Sequence, residues 1–113
     1  MAHVTDFMNR DEKAFVERSA NEIANHYGLG AQTEKLAEEC SEYTQAFLKF
    51  HQDPTTTNYE HLLEELADTA LVLSEVLNCM PETDGRRVAI KVSLKINREL
   101  NRIEKAKAAK VFK

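Results

Sequence analysis

The chain has 113 residues, 15 Lys and Arg against 19 Asp and Glu, and a net charge of −4, which bounds it to one modest core and argues against a large nucleic-acid footprint, although the stretch from Arg86 to Lys113 is strongly basic. With 42% hydrophobic and 30% charged residues but only three Gly and two Pro, it has the composition of a helical domain rather than of a disordered or sheet-rich chain. Two Cys exclude a disulfide framework. No apolar run is long enough for a bilayer and nothing at the N-terminus resembles a signal peptide, so a reducing cytoplasm is the expected location and both thiols are expected to act as small core residues.

Caps and breakers divide the chain into four helical segments, and the expected architecture is an all-α four-helix bundle in a single domain, 1–113. Helix one opens at Thr5, with Asp6 in its first turn, and runs through Phe7, Phe15, Val16 and Ile23 to about Tyr27, where Gly28 and Gly30 supply a left-handed stop. Helix two opens at Thr33. Its residues Leu36, Cys40, Tyr43, Phe47 and Phe50 recur at steps of four and three and line one face as far as Gln52, before Pro54. Helix three begins at Thr57 or Asn58 and carries Tyr59, Leu62, Leu63, Leu66, Ala70, Leu73 and Leu77. It is apolar nearly all round from Thr69 to Leu77, so it is expected to be the most buried, and it ends before the turn-rich Pro81 to Gly85. Helix four runs from about Arg86 to Ala109, with Val88, Val92, Ile96, Leu100 and Ile103 as its stripe and basic residues on its other faces. The acids concentrate between Glu34 and Glu75, so charge is polarised along the sequence in a way that suits a metal and an anion meeting between helices.

Two acidic pairs carry the chemistry. Glu39 and Glu42 on helix two, and Glu65 and Asp68 on helix three, are each three residues apart and therefore neighbours on a helix face. At about 100° per residue, with each apolar stripe set at zero, the first pair falls at roughly −60° and −120° and the second at roughly −100° and −160°. Both border the buried face from the same side, and antiparallel packing lets them converge. Glu38 and Glu64 point further away. A lone ExxE is ordinarily a solvated helix face, but two pairs on matching flanks of consecutive helices, one beside the most apolar segment, favour a binding site. Four converging carboxylates require a cation, and an all-oxygen set points to Mg²⁺, with Mn²⁺ as a substitute. Mg²⁺ takes phosphate oxygens as further ligands, so the expected substrate is a phosphate ester or anhydride.

The runs EKLAEECSEYTQAF and LLEELADTALVLSEVL, with KINRELNRIE further on, resemble the MazG family of all-alpha nucleoside triphosphate pyrophosphohydrolases, whose signature is ExxE, a spacer, then ExxD. The resemblance spans Thr33 to Glu104 and is to the short, single-domain type. It implies hydrolysis of a (d)NTP between the α- and β-phosphates to a monophosphate and pyrophosphate, a nucleotide-pool house-cleaning role, metal ligation by Glu39, Glu42, Glu65 and Asp68, and phosphate contacts from Lys95 and Asn97, with Arg98 and Arg102 as additions. It also implies a homo-oligomer, a dimer or a dimer of dimers, in which helix one of a neighbouring subunit helps close the nucleotide pocket. Where many relatives carry a further basic residue and an aromatic after the Asn, this chain has Glu99 and Leu100.

Glu38 or Glu39 is the candidate to accept the proton of the attacking water. Phe15, Asn21, Asn25 and His26 are conceivable contributors to the base pocket, whose residues stay open. The apolar surface of helix three favours association, with Leu71 or Val72 at or near a subunit contact, and together with the dimer of dimers that the resemblance implies the expected form is a tetramer rather than a bare dimer. Two other readings compete: a non-catalytic helical interaction module whose acidic flank docks a basic partner, and a di-iron carboxylate bundle. The second takes its ligands from Glu-x-x-His, which is absent from the chain.

Overall fold

The structure is a computed structural model that describes residues 3–111, and every regular element among them is helical. A short 3-10 turn, Val4–Phe7, precedes three α-helices: α1 (Arg10–Gln52), α2 (Thr56–Cys79) and α3 (Glu82–Val111). The sequence predicts a first helix opening at Thr5, but α1 begins five residues later because a better cap is available. Asn9 accepts from the Glu12 backbone N–H at 2.8 Å and Glu12 accepts from the Asn9 N–H at 3.1 Å, so two otherwise orphaned donors are satisfied reciprocally. Asp6 instead closes the short turn by accepting from the His3 N–H at 2.7 Å.

The expected boundary between helices one and two narrows to a single residue. Gly28 adopts φ 81° and ψ 170°, the one positive φ among the described residues, and the chain is helical on both sides of it. Only Gly accepts that conformation without strain, so the two predicted helices follow each other as segments of α1 with no loop between them. Gly30 is helical, and Thr33 is no cap: its hydroxyl donates to the Leu29 carbonyl at 2.7 Å within the second segment.

α1 reverses through Asp53 to Thr55 into α2. Thr55 accepts from the Asn58 N–H at 3.1 Å, and the buried Asn58 amide donates to the Asp53 carbonyl at 2.8 Å, which fixes the turn from inside. α3 starts four residues earlier than the sequence suggests. Pro81 needs no N–H at a helix start, the Gly85 N–H reaches its carbonyl at 3.0 Å, and Glu82 and Asp84 complement the dipole of the first turn.

Chain contacts divide the molecule into two units, one through Cys79 and one from Met80. The first is an α1–α2 hairpin whose seam buries Ala20, Ala24, Gln32, Glu39 and Ala46 against Asn58, Val72, Glu75 and Val76. The Thr69 hydroxyl lies 3.3 Å from the Glu39 carbonyl oxygen and 2.9 Å from that of Glu65, and the Cys79 thiol meets the Ala24 carbonyl at 3.1 Å, so the helices are tied at two levels. Phe50 and Tyr59 pack near the turn, with ring centroids 5.5 Å apart.

The face that α2 turns to α1 differs from the expected one. Asn58, Leu62, Glu65, Thr69, Val72, Val76 and Cys79 are buried or half-buried, whereas Tyr59, Leu63, Leu66, Leu73 and Leu77 remain between 40% and 48% exposed. Steps of three and four generate both stripes, one residue apart, and the hairpin covers the more polar of them. In proportion to its length α2 is still the most buried helix, with four buried residues in 24 against five in the 43 of α1, but its leucine stripe stays open. In the second unit, α3 carries Val88, Val92, Ile96, Leu100 and Ile103 on exposed positions. Among the described residues no helix is long and apolar enough to cross a membrane.

Candidate metal centre and adjoining cleft

Antiparallel packing of α1 and α2 brings three of the four predicted ligands together. Glu39 and Glu42, one turn apart on α1, and Glu65 on α2 each place a carboxylate oxygen within 4.8 Å of the others. Glu39 is buried, Glu65 half-buried and Glu42 exposed, so the cluster runs from the seam outward. The Thr69 hydroxyl, between the Glu39 and Glu65 carbonyls, holds the two backbones in register at this level. Asp68 is on the next turn from Glu65, outside the triad, and lines the adjoining cleft together with Glu39.

The charge of the cluster is only partly balanced. Lys35 Nζ lies 3.4 Å from Glu39 Oε1, and His61 Nε2 lies 3.8 Å from Glu65 Oε1. The other oxygen of each of these carboxylates, Oε2, is buried with no hydrogen-bond partner. Buried carboxylate oxygens without donors are costly. The mutual repulsion is visible at Glu42, whose carboxyl is pushed above its ordinary range first by the charge of Glu39, then by desolvation and by Glu65. Lys35 is held in its charged form by its hydrogen bond to Glu39 and by that residue's charge. An all-carboxylate set with two orphaned oxygens fits a hard divalent cation of the Mg²⁺ or Mn²⁺ type.

Beside the triad a cleft of about 710 Å³ opens between the helices. Ile23, Tyr27, Leu71 and Val72 form its walls, and two buried polar side chains, Gln32 and Glu75, line it further along. Gln32 Oε1 is buried and has no partner.

Burial pushes the Glu75 carboxyl above its usual value of 4.5, and Lys35 pulls it partly back. A folded-state pKa above the unfolded one means that the native state binds more protons between the two values, so stability is lost as pH rises through that window. Glu75→Gln, which cannot ionise, is expected to flatten this fall. Melting curves from about pH 4 to pH 8 should show the variant gaining on the wild type as pH rises, and parallel curves would count against the assignment.

The remaining predicted residues fall elsewhere. Glu38 and Glu64 are exposed beside the cluster. Phe15, Asn21, Asn25 and His26, the sequence candidates for base contacts, are exposed on the first segment of α1, and none of them lines the cleft. Lys95, Asn97, Arg98 and Arg102 are exposed on α3, in the second unit, where Arg102 pairs with Glu99. Conversely, sequence reasoning passed over Gln32, Lys35, His61 and Glu75. Lys35 and His61 each stand four residues before a cluster glutamate, a spacing that pairs side chains on a helix and was available as a signal. Glu75 continues the three–four–three series from Glu65 through Asp68 and Val72. Set against protein-family models, curated proteins and solved structures, the chain matches none.

Proposed function

We propose that this chain is a Mg²⁺-dependent nucleoside triphosphate pyrophosphohydrolase, cleaving (d)NTP to the monophosphate and pyrophosphate in a nucleotide-pool house-cleaning role. The observation that carries the reading is the convergence of Glu39, Glu42 and Glu65, with two buried and unpartnered carboxylate oxygens, at the edge of an open cleft. The resemblance of the two acidic motifs to the MazG signature supplies the reaction class.

In this reading Glu39, Glu42 and Glu65 hold the ion, and Asp68, one turn along on the cleft side, extends the set toward the substrate. When bound, Mg²⁺ supplies neutralising charge and makes a water more acidic. Glu39 is enclosed and engaged by Lys35, which suits holding rather than proton transfer. Of the two carboxylates named as proton acceptors, the solvent-accessible Glu38 therefore takes that role. Lys95 and Asn97, with Arg98 and Arg102, are proposed as phosphate contacts on the resemblance alone. The functional form is proposed to be a homo-oligomer, a dimer of dimers by preference, in the cytoplasm.

The reaction class is tested by its products. Incubation with a panel of nucleoside triphosphates and Mg²⁺ is expected to give pyrophosphate and monophosphate together for at least one substrate, with no release when the metal is chelated. Initial appearance of the diphosphate and orthophosphate on chromatography would overturn the reading.

A further inference from the structure

We propose that the pocket on the turn side of the carboxylate triad is a diphosphate subsite, in which Lys49 holds the pyrophosphate end of the substrate. The inference rests on the nucleotide reading above and adds to it the direction in which the substrate lies. It begins with the register of the hairpin. Glu42 is level with Glu65, Glu39 with Asp68 and Gln32 with Glu75, a pairing anchored by the bond from Thr69 to the Glu39 carbonyl, and toward the turn Ala46 is level with His61. The triad therefore has open space on both sides. One is the cleft of about 710 Å³, which runs toward Gln32 and Glu75. The other is a pocket of about 260 Å³ toward the turn, lined by Glu42, Gln45, Ala46, Lys49, His61 and Glu65.

The two spaces differ in chemistry. The cleft has apolar walls in Ile23, Tyr27, Leu71 and Val72, and apart from the triad its charged groups are Lys35 against Asp68 and Glu75. The turn-side pocket has one apolar side chain, Ala46, and apart from the triad it carries Lys49 and His61 with no further acid. It is the more positive of the two whether Glu75 and His61 are charged or neutral. An anionic tail is therefore favoured on the turn side and a nucleoside in the cleft. Lys49 suits the tail. It forms no ion pair among the described residues, and long side chains on a helix lean toward its N-terminus, which for Lys49 is toward Glu42. His61, with its ring nitrogens 4.0 Å from Glu64 and 3.8 Å from Glu65, is already engaged and forms a wall. Beyond Lys49 the surface turns acidic at Glu60 and Glu64, which ends the anion site there. In the reaction, water adds to the α-phosphorus and its proton passes to Glu38. The α–β bridging oxygen leaves with the bonding pair as part of the diphosphate, and the charge it gains is stabilised by the Lys49 ammonium.

The probe is inorganic pyrophosphate with Mg²⁺, followed by titration calorimetry in about 0.15 M salt, where charges more than about 8 Å apart are largely screened. Lys49→Met is expected to weaken its binding about tenfold to a hundredfold, the loss of one hydrogen bond between charged groups, and Lys49→Arg to retain most of it. Mg²⁺ alone should bind Lys49→Met at least as tightly as the wild type. Tyr27→Ala, across the triad in the cleft, should leave pyrophosphate binding unchanged. Lys49 is exposed and Tyr27 is 61% exposed, so both variants are expected to fold. Failure of the wild type to bind pyrophosphate, an unchanged affinity in Lys49→Met, or an equal loss in Tyr27→Ala would overturn the inference. The two readings separate cleanly. Hydrolysis to pyrophosphate with unchanged affinity in Lys49→Met leaves the reaction standing and removes the subsite, while Lys49-dependent binding of pyrophosphate without hydrolysis of any nucleotide does the opposite.

Discussion

Glu65→Gln is expected to lower Mg²⁺-dependent pyrophosphate release by about a thousandfold while leaving the metal-free protein as stable as the wild type or more so. The two effects share one cause. Glu65 keeps the shape of its side chain but loses the charge that, with Glu39 and Glu42, forms the triad, and a divalent ion contributes several kcal/mol of transition-state stabilisation, each ~1.4 kcal/mol being tenfold in rate. Without the ion, the same charge is a liability, because Glu65 Oε2 is buried without a donor and its neighbour Glu42 is already pushed toward protonation. Mg²⁺ should therefore raise the melting temperature of the wild type and barely move that of the variant. Asp68→Asn makes a useful contrast: it lies outside the triad, so activity should fall with little gain in metal-free stability. Near-wild-type turnover of Glu65→Gln at saturating Mg²⁺ would remove the triad from the chemistry.

How far the sequence reveals this arrangement depends on what kind of signal each feature leaves. The acidic pairs are legible because side chains three apart must share a helix face, and their meeting needs only that the hairpin be antiparallel. The break near Gly28 is legible for a similar reason, since glycine marks positive φ, but its extent is not. Whether a helix stops or resumes after one residue depends on tertiary contacts such as that of Cys79 with the Ala24 carbonyl. The facing stripe of α2 misleads for an energetic reason. Hydrophobicity favours the leucine side, yet the seam closes over Asn58, Glu65, Thr69 and Glu75, whose polar groups cap the turn, tie the backbones and line the cleft. Gln32 leaves no local trace at all. Its interest lies in being buried without a partner, which only packing can reveal.

The leucine side that the hairpin leaves open carries the second large expectation. Tyr59, Leu63, Leu66, Ala70, Leu73 and Leu77 follow steps of four and three along α2, the spacing of a coiled-coil seam, and all but Ala70 are exposed. Covering a half-exposed leucine is worth about 1 kcal/mol, so the four leucines and Tyr59 on each of two copies contribute on the order of 10 kcal/mol. That is comparable with the roughly 4–15 kcal/mol that association costs, so the stripe offsets the cost of pairing two copies. A second copy presenting the same stripe is the simplest self-complementary partner. Of the two residues that the sequence places at or near a subunit contact, Val72 is buried in the hairpin, while Leu71 is 42% exposed and adjoins this stripe. The double change Leu66→Lys and Leu73→Lys alters two residues that are 48% and 46% exposed, so it costs the hairpin little while placing four lysines in a pairing of two copies. Light scattering at micromolar concentration should find an oligomer for the wild type and a folded species near 12.9 kDa for the variant. A wild-type chain that is itself a stable and active monomer of that mass would refute the seam.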